Sequence, residues 1–312
     1  MLAPVTPSVL AALGGVLGIL VFASLIAALL KHRHPDKNYT ELIQRIRSWW
    51  IMIGIFSGAM LLSRTASILF FAFVSFLALK EYLSLIPTRR ADRRVLFWAY
   101  AAIPFQYCWV HEQWYGMFII FIPVYLFLLL PMRMVIIGET REFLRAAGTL
   151  HWGLMTMVFS LSHAAFFLAL DGEKNPAGGG AGWVLYLIFL TQFNDVAQYV
   201  WGKLTGRHKI IPKVSPNKTW EGFLGGVGTT TALAMVLAPH LTPLTPVESL
   251  GAGMLIALGG FIGDVTISAL KRDIGVKDSG SLLPGHGGIL DRIDSLTYTA
   301  PLLFHYVYYL HY

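Results

Sequence analysis

Charge is what this sequence has least of. Only 13% of its 312 residues are Asp, Glu, Lys or Arg, against 55% that are hydrophobic, and the mean hydropathy is +0.61. A water-soluble domain carries about 25% charged residues, because any fold must cover its surface with polar groups. The shortage excludes a soluble globular enzyme, a disordered chain and a nucleic-acid-binding protein, and leaves an integral membrane protein. Cysteine is nearly absent as well, Cys108 being alone. One cysteine excludes an internal disulfide, and the lack of any Cys/His set at ligand spacing argues against zinc. Cys108 lies in an apolar run and is expected to be a buried small hydrophobe rather than a reactive thiol. There is no internal repeat, and no low-complexity tract beyond Gly178-Gly179-Gly180.

What the sequence has instead is apolar helix. A span needs about 20 mainly apolar residues to cross a hydrocarbon core of about 30 Å. Expected spans lie near 8–30, 49–63, 65–79, 95–110, 115–137, 150–170, 182–201, 222–238, 250–270 and 296–311, which makes the chain an all-α, polytopic membrane protein of about ten helices. The first lacks a basic leader, outruns a signal-peptide core and ends on Lys31-His32-Arg33-His34, so it is expected to be retained. Residues 38–48 mix Leu42, Ile43 and Ile46 with charges before Trp49-Trp50, the pattern of an interfacial helix with an aromatic anchor.

The basic residues set the topology. All of the 24 Lys and Arg residues except Arg64 and Lys174 fall in the connections 31–48, 80–94, 132–149, 202–221 and 271–295. Cytoplasmic loops are the ones enriched in Lys and Arg. The alternation closes if 49–79 crosses twice, leaving both termini outside. The sequons at Asn38 and Asn217 then face the cytoplasm and stay unglycosylated. About six spans make an N-terminal part, 1–170; residues 171–312 form a C-terminal part with cytoplasmic loops 202–221 and 271–295.

Carboxylates inside membrane helices are costly and need a partner, a cavity or a function. Asp195 and Asp264 both end long apolar runs. They precede Lys203 and Lys271 by eight and seven residues, which places each roughly 10–12 Å below its cytoplasmic cation at the helical rise. Thr191, Asp195, Gln198 and Gly202 share one helix face, and Asp264, Ser268 and Lys271 share another. Two polar faces at equal depth suggest a cavity entered from the cytosol. Buried structural Asp–Lys or Asp–Arg pairs, or an ion relay, fit the same residues.

Two loops lie beside these faces. The first, from Gly202 to Gly222, interleaves Lys203, Arg207, Lys209, Lys213 and Lys218 with Gly, Ser, Thr and Pro, a surface for phosphate or for anionic lipid. The second holds Asp273, Asp278, Asp291 and Asp294 beside Lys271, Arg272, Lys277 and Arg292. Hard oxygen ligands next to cations are what a magnesium-bound polyphosphate requires. Gly285, Gly287 and Gly288 around His286 permit sharp turns and close backbone approach.

Here the residues become familiar. Ser268-x-Leu270-Lys271-Arg272, then Lys277-Asp278-x-Gly280, then Pro284-x-His286-Gly287-Gly288-x-x-Asp291-Arg292-x-Asp294 resembles the signature of CDP-diacylglycerol synthase (phosphatidate cytidylyltransferase), without a departure. Asn194-Asp195 and the Ser215-to-Gly222 stretch are also similar. The resemblance covers about 182–300; the first 170 residues agree mainly in being multi-pass. It implies transfer of a cytidylyl group from CTP to phosphatidate in phospholipid biosynthesis. It also implies Mg2+ on Asp264 and Asp291, with a monovalent cation such as K+ associated with the family. Phosphate contacts are expected from Lys218, Lys271, Arg272 and Lys277, and substrate contacts from Ser268, His286 and Arg292. Asp195, Asp278 and Asp294 belong in or beside the site. The expected partners are CTP, phosphatidate and membrane lipid, with no nucleic acid; a homodimer is left open. Two other functions fit parts of the pattern: the same chemistry on another lipid phosphate, and an ion-coupled transporter using Asp195 and Asp264, which leaves 271–295 unexplained.

Overall fold

The structure, a computed structural model, describes residues 5–36, 38–89, 92–280 and 287–312. Its principal helices are α1 Pro7–Arg33, α2 Thr40–Leu62, α3 Arg64–Leu85, α4 Arg93–His111, α5 Tyr115–Ile137, α6 Phe143–Ala169, α7 Gly179–Thr205, α8 Trp220–Leu241, α9 Pro246–Asp273, the short α10 Leu290–Ile293, and α11 Leu296–His311. Among the described residues there is no β-strand; an antiparallel bridge joins Lys209 and Thr219.

Local chemistry sets the boundaries. Ser63 separates α2 from α3 and its side chain accepts from Ala66 N. Thr245 and Glu248 form a capping box at the start of α9, with Pro246 in the first turn, satisfying amides that the helix leaves unpaired. A π-helical turn at Phe121–Leu126 widens α5 around Pro123, which lacks the amide that the regular ladder needs. A second π turn, Met155–Ser160, lies in α6.

Among the described residues, α1, α3, α5, α6, α8 and α9 are long and apolar enough to cross a membrane. Phe22, Leu69 and Leu128 are each 63% exposed, a costly arrangement in water and a satisfied one in hydrocarbon. The protein is an all-α integral membrane protein. The other four long helices coincide with the remaining expected spans. Of these α11 has only 16 residues, and α7 interrupts its apolar run with Gln192, Asn194, Asp195 and Gln198.

Two expectations need correction. Residues 40–48 are not a separate interfacial helix; they are the first turns of α2, because no Pro or Gly separates them from Trp49-Trp50. Cys108 is exposed on α4 rather than buried. An apolar run does not reveal which of its faces is inside, since lipid is as apolar as a protein core.

Helices α8 and α11 each pack against both α7 and α9, α6 lies against α11, and α3 reaches α10. The α9–α11 junction depends on a missing side chain. A Cβ at Gly263 would overlap the Asp294 carbonyl oxygen and stand 3.0 Å from Ser295 Cα, so the turn leading into α11 sits directly on the α9 backbone. Backbone on both sides leaves nothing to yield. Gly263→Ala is expected to cost about 1–3 kcal/mol, read as a lower unfolding temperature of the detergent-solubilised protein.

Candidate active site

The site begins with the connection from α7 to α8. Glu221 accepts from Arg207 N at 3.0 Å and His208 N at 3.2 Å, and its other oxygen lies 2.6 Å from His208 Nδ1. The Lys209–Thr219 bridge closes the loop, and Thr219 caps α8 by accepting from Gly222 N. The proline-containing segment 211–218 is thereby pinned at both ends, and Lys218 is turned back toward the helices. Its Nζ donates to Gln198 Oε1 at 3.0 Å, pairs with Asp264 Oδ2 at 2.6 Å, and stands 5.6 Å from the centre of the Phe261 ring.

Around that ammonium the polar face of α7 finds its partners as its spacing implies. Thr191 donates to Thr299 at 2.9 Å; Ser295 Oγ lies 3.0 Å from both carboxylate oxygens of Asp195; Gln198 holds Lys218; and Gly202 lets Thr219 and Gly222 come close. Asp195, Asp264 and Asp294 stand within electrostatic reach of one another, with Lys218 and Arg292 bearing on Asp195 and Lys271 on Asp294. Ser268 donates to Asp264 Oδ1 at 3.2 Å.

Asp291 lies on the short α10. Lys271 Nζ pairs with its Oδ1 at 2.6 Å. Its Oδ2 accepts from Ser279 N at 3.0 Å, Ser279 Oγ at 2.9 Å and Gly288 N at 3.1 Å. Burial pushes the Asp291 carboxyl up, but Lys271 and the two amides outweigh it and hold the group below the usual carboxylate range. Gly287 turns the chain here with φ +80°, and a Cβ on it would stand 2.6 Å from Asp291 Oδ2; only glycine adopts this geometry without strain.

A divalent metal fits this donor set in a particular way. Among the described residues no three His, Cys, Asp or Glu side chains form a closed ligand group. Magnesium uses one or two carboxylates and takes its remaining oxygens from water and substrate phosphates. Asp264 and Asp291 each supply hard oxygens that a lysine now neutralises. The arrangement therefore suits an ion that arrives with its phosphates.

The model of the cytidylyltransferase family matches residues 43–310 of this chain. The chain belongs to the cytidylyltransferase family. It is a membrane nucleotidyltransferase, and the family implies CTP and a lipid phosphate as substrates. The protein YnbB of Escherichia coli (strain K12), described as uncharacterized, is 46% identical over 291 residues, 93% of this chain and 95% of YnbB. The phosphatidate cytidylyltransferase of Staphylococcus aureus (strain COL) is 43% identical over 126 residues, 40% of this chain and 48% of that protein. That of Mycobacterium bovis is 40% identical over 117 residues, 38% of each chain. The chain thus matches less than half the length of either phosphatidate cytidylyltransferase.

In this cytidylyltransferase the fold gathers Asp195, Lys218, Asp264, Ser268, Lys271, Asp291, Arg292 and Asp294 at the meeting of α7, α9 and α10. Arg292 keeps its Nε buried with no hydrogen-bond partner among the described residues. Lys277 and Asp278 are exposed on the segment after α9. Arg272 points away from the carboxylates: its Nε donates to Val214 O at 3.2 Å and Nη1 to Val276 O at 3.5 Å. His286 lies outside the described residues, as do Pro284 and Gly285. One participant went unpredicted. Glu81, in α3, accepts from Ile289 N and Leu290 N, and no pattern in its neighbourhood announces a contact 208 residues away.

Proposed function

We propose that this cytidylyltransferase transfers the cytidylyl group of CTP to phosphatidate, giving CDP-diacylglycerol and pyrophosphate, at a site open to the cytoplasm. The observation that carries the reading is the pair of ion pairs Lys218–Asp264 and Lys271–Asp291, two cations for phosphates and two carboxylates for metal in one place. The basic loops beside them support the cytoplasmic orientation. An amphipathic cleft of about 360 Å³, lined by residues including Tyr82, Arg145, Trp152, Thr266 and Leu270, lies between α3, α6 and α9. Its lining, which pairs Arg145 with aromatic and aliphatic side chains, has the character a lipid with a charged head requires.

In the reaction, a phosphate oxygen of phosphatidate attacks the α-phosphorus of CTP. The new P–O bond forms as the bond from the α-phosphorus to the bridging oxygen breaks, and pyrophosphate leaves with the electron pair. The lipid phosphate is already an anion, so no side chain has to remove a proton. The work falls to positioning and charge. Lys218 and Lys271 exchange their carboxylates for phosphate oxygens, Ser268 orients Asp264, and the unpartnered Arg292 Nε–H is a further donor already in place. Magnesium held by Asp264 and Asp291 would offset charge gathering on the leaving pyrophosphate.

Purified protein in detergent or liposomes is expected to convert CTP and phosphatidate to CDP-diacylglycerol only when magnesium is present. Parallel assays with other lipid phosphates define the acceptor, and a clear preference for one of those replaces phosphatidate in this reading. Absence of turnover with folded protein, magnesium and every acceptor refutes it.

A further inference from the structure

The N-terminal helices reach the Asp291 turn through one acid. Glu81 places Oε2 2.9 Å from Ile289 N and Oε1 3.0 Å from Leu290 N, so both carboxylate oxygens are engaged by consecutive amides. Those amides open α10, which is four residues long and has no side-chain cap of its own. Gly288 runs so close beneath that a Cβ there would overlap Glu81 Oε1 and Ser279 Oγ, and one at Gly280 would stand 3.1 Å from Glu81 Oε2. The Glu81 carboxylate therefore holds the turn that presents Gly288 N to Asp291 Oδ2, beside the Ser279 amide from the segment after α9.

We propose that Glu81 is a positioning residue for cytidylyl transfer: it clamps the Gly287-to-Asp291 turn so that the Asp291 carboxylate is held in one orientation, with Oδ1 directed at Lys271. The inference rests on the reading of Asp291 as a metal-holding residue. A four-residue helix is too short to sustain itself, and a turn containing two glycines has the most backbone freedom to lose. Hydrogen bonds that backbone amides donate to a carboxylate are among the strong ones. Because both are made to backbone, they constrain the path of the chain and leave the Asp291 side chain unobstructed. Groups that orient a metal-binding carboxylate influence affinity and rate nearly as the ligand does.

The test compares wild type, Glu81→Gln, Glu81→Ala and Asp291→Asn, each as the full chain in detergent. It measures kcat, KM for CTP, Mn2+ affinity by electron paramagnetic resonance without acceptor lipid, and the unfolding temperature. Glu81→Ala is expected to lower kcat and Mn2+ affinity each by about 10–100-fold, with KM for CTP changing by less than about threefold. Glu81→Gln keeps one acceptor oxygen but turns an NH2 toward the second amide, so it is expected to recover part of both losses. Wild-type kcat and Mn2+ affinity in Glu81→Ala overturn the proposal. So does a loss of activity that only tracks the folded fraction, with Mn2+ binding per folded molecule unchanged. Should Glu81→Ala not fold, Glu81→Gln decides: wild-type values overturn the proposal and reduced ones uphold it. Asp291→Asn separates the two layers. If it is inactive while the Glu81 variants are normal, only the role of Glu81 falls; if it is itself fully active, the reading of Asp291 falls.

Discussion

Asp291→Asn is expected to lower cytidylyl transfer by about 10³-fold or more while the protein still folds. Its carboxylate receives four donors, Lys271 Nζ on Oδ1 and Ser279 N, Ser279 Oγ and Gly288 N on Oδ2. An asparagine offers one oxygen to this set. Whichever way the amide faces, its NH2 meets either the lysine or the two backbone amides, donor against donor. Charge is lost at the same moment, so Lys271 is left without its counter-ion in a half-buried site. Asp264→Asn repeats the experiment at the Lys218 pair. Turnover by purified protein, with the unfolding temperature as the control for folding, is the measurement. Near-normal rates in both variants would remove these residues from the chemistry.

Magnesium and CTP are expected to bind as a unit, the affinity of each rising about 10–100-fold in the presence of the other. The ion pairs Lys218–Asp264 and Lys271–Asp291 already neutralise the two lysines and the two carboxylates that the ligands would use. Free CTP would bring its phosphates to the two lysines with the Asp264 and Asp291 carboxylates still beside them and Asp195 and Asp294 close by. A free divalent cation would meet two ammonium groups. When both arrive, the lysines trade carboxylate for phosphate and the carboxylates trade lysine for metal, and no charge is stranded. Titration calorimetry with CTP in magnesium and in a chelator measures the coupling. Equal affinity in the two would refute it. Lys271→Met supplies an internal check of sign: it should weaken CTP binding and strengthen binding of the divalent ion alone.

Much of this was legible because charge is scarce. Apolar runs locate the long helices, since each has to be made of lipid-compatible residues, and the few acids between 264 and 294 stand out against that background. Helix spacing also puts Asp195 with Gln198 and Asp264 with Ser268 on common faces, as the structure has them. Pairing is another matter. Asp264 lies on one face with Lys271, yet Lys271 goes to Asp291 and Asp264 goes to Lys218, because the loop before α8 folds back under the control of Glu221 and Thr219. Glu81 shows the limit most plainly. An isolated acid between Lys80 and Tyr82 has no periodicity to mark it, and its partners are backbone amides, which look alike in every sequence. The exposure of Cys108 is illegible for a related reason: composition speaks of the environment of a segment and not of which way each side chain turns. The continuity of α2 is legible, since no Pro or Gly separates residues 40–48 from Trp49-Trp50.

Arg272 carries a mechanical consequence. By donating to the carbonyls of Val214 and Val276, it rivets two loops that belong to different helical connections. Loops tied through one side chain are expected to open together. Amide exchange in 206–219 and in 274–280 should therefore share a common rate, and Arg272→Ala should let the two rates drift apart.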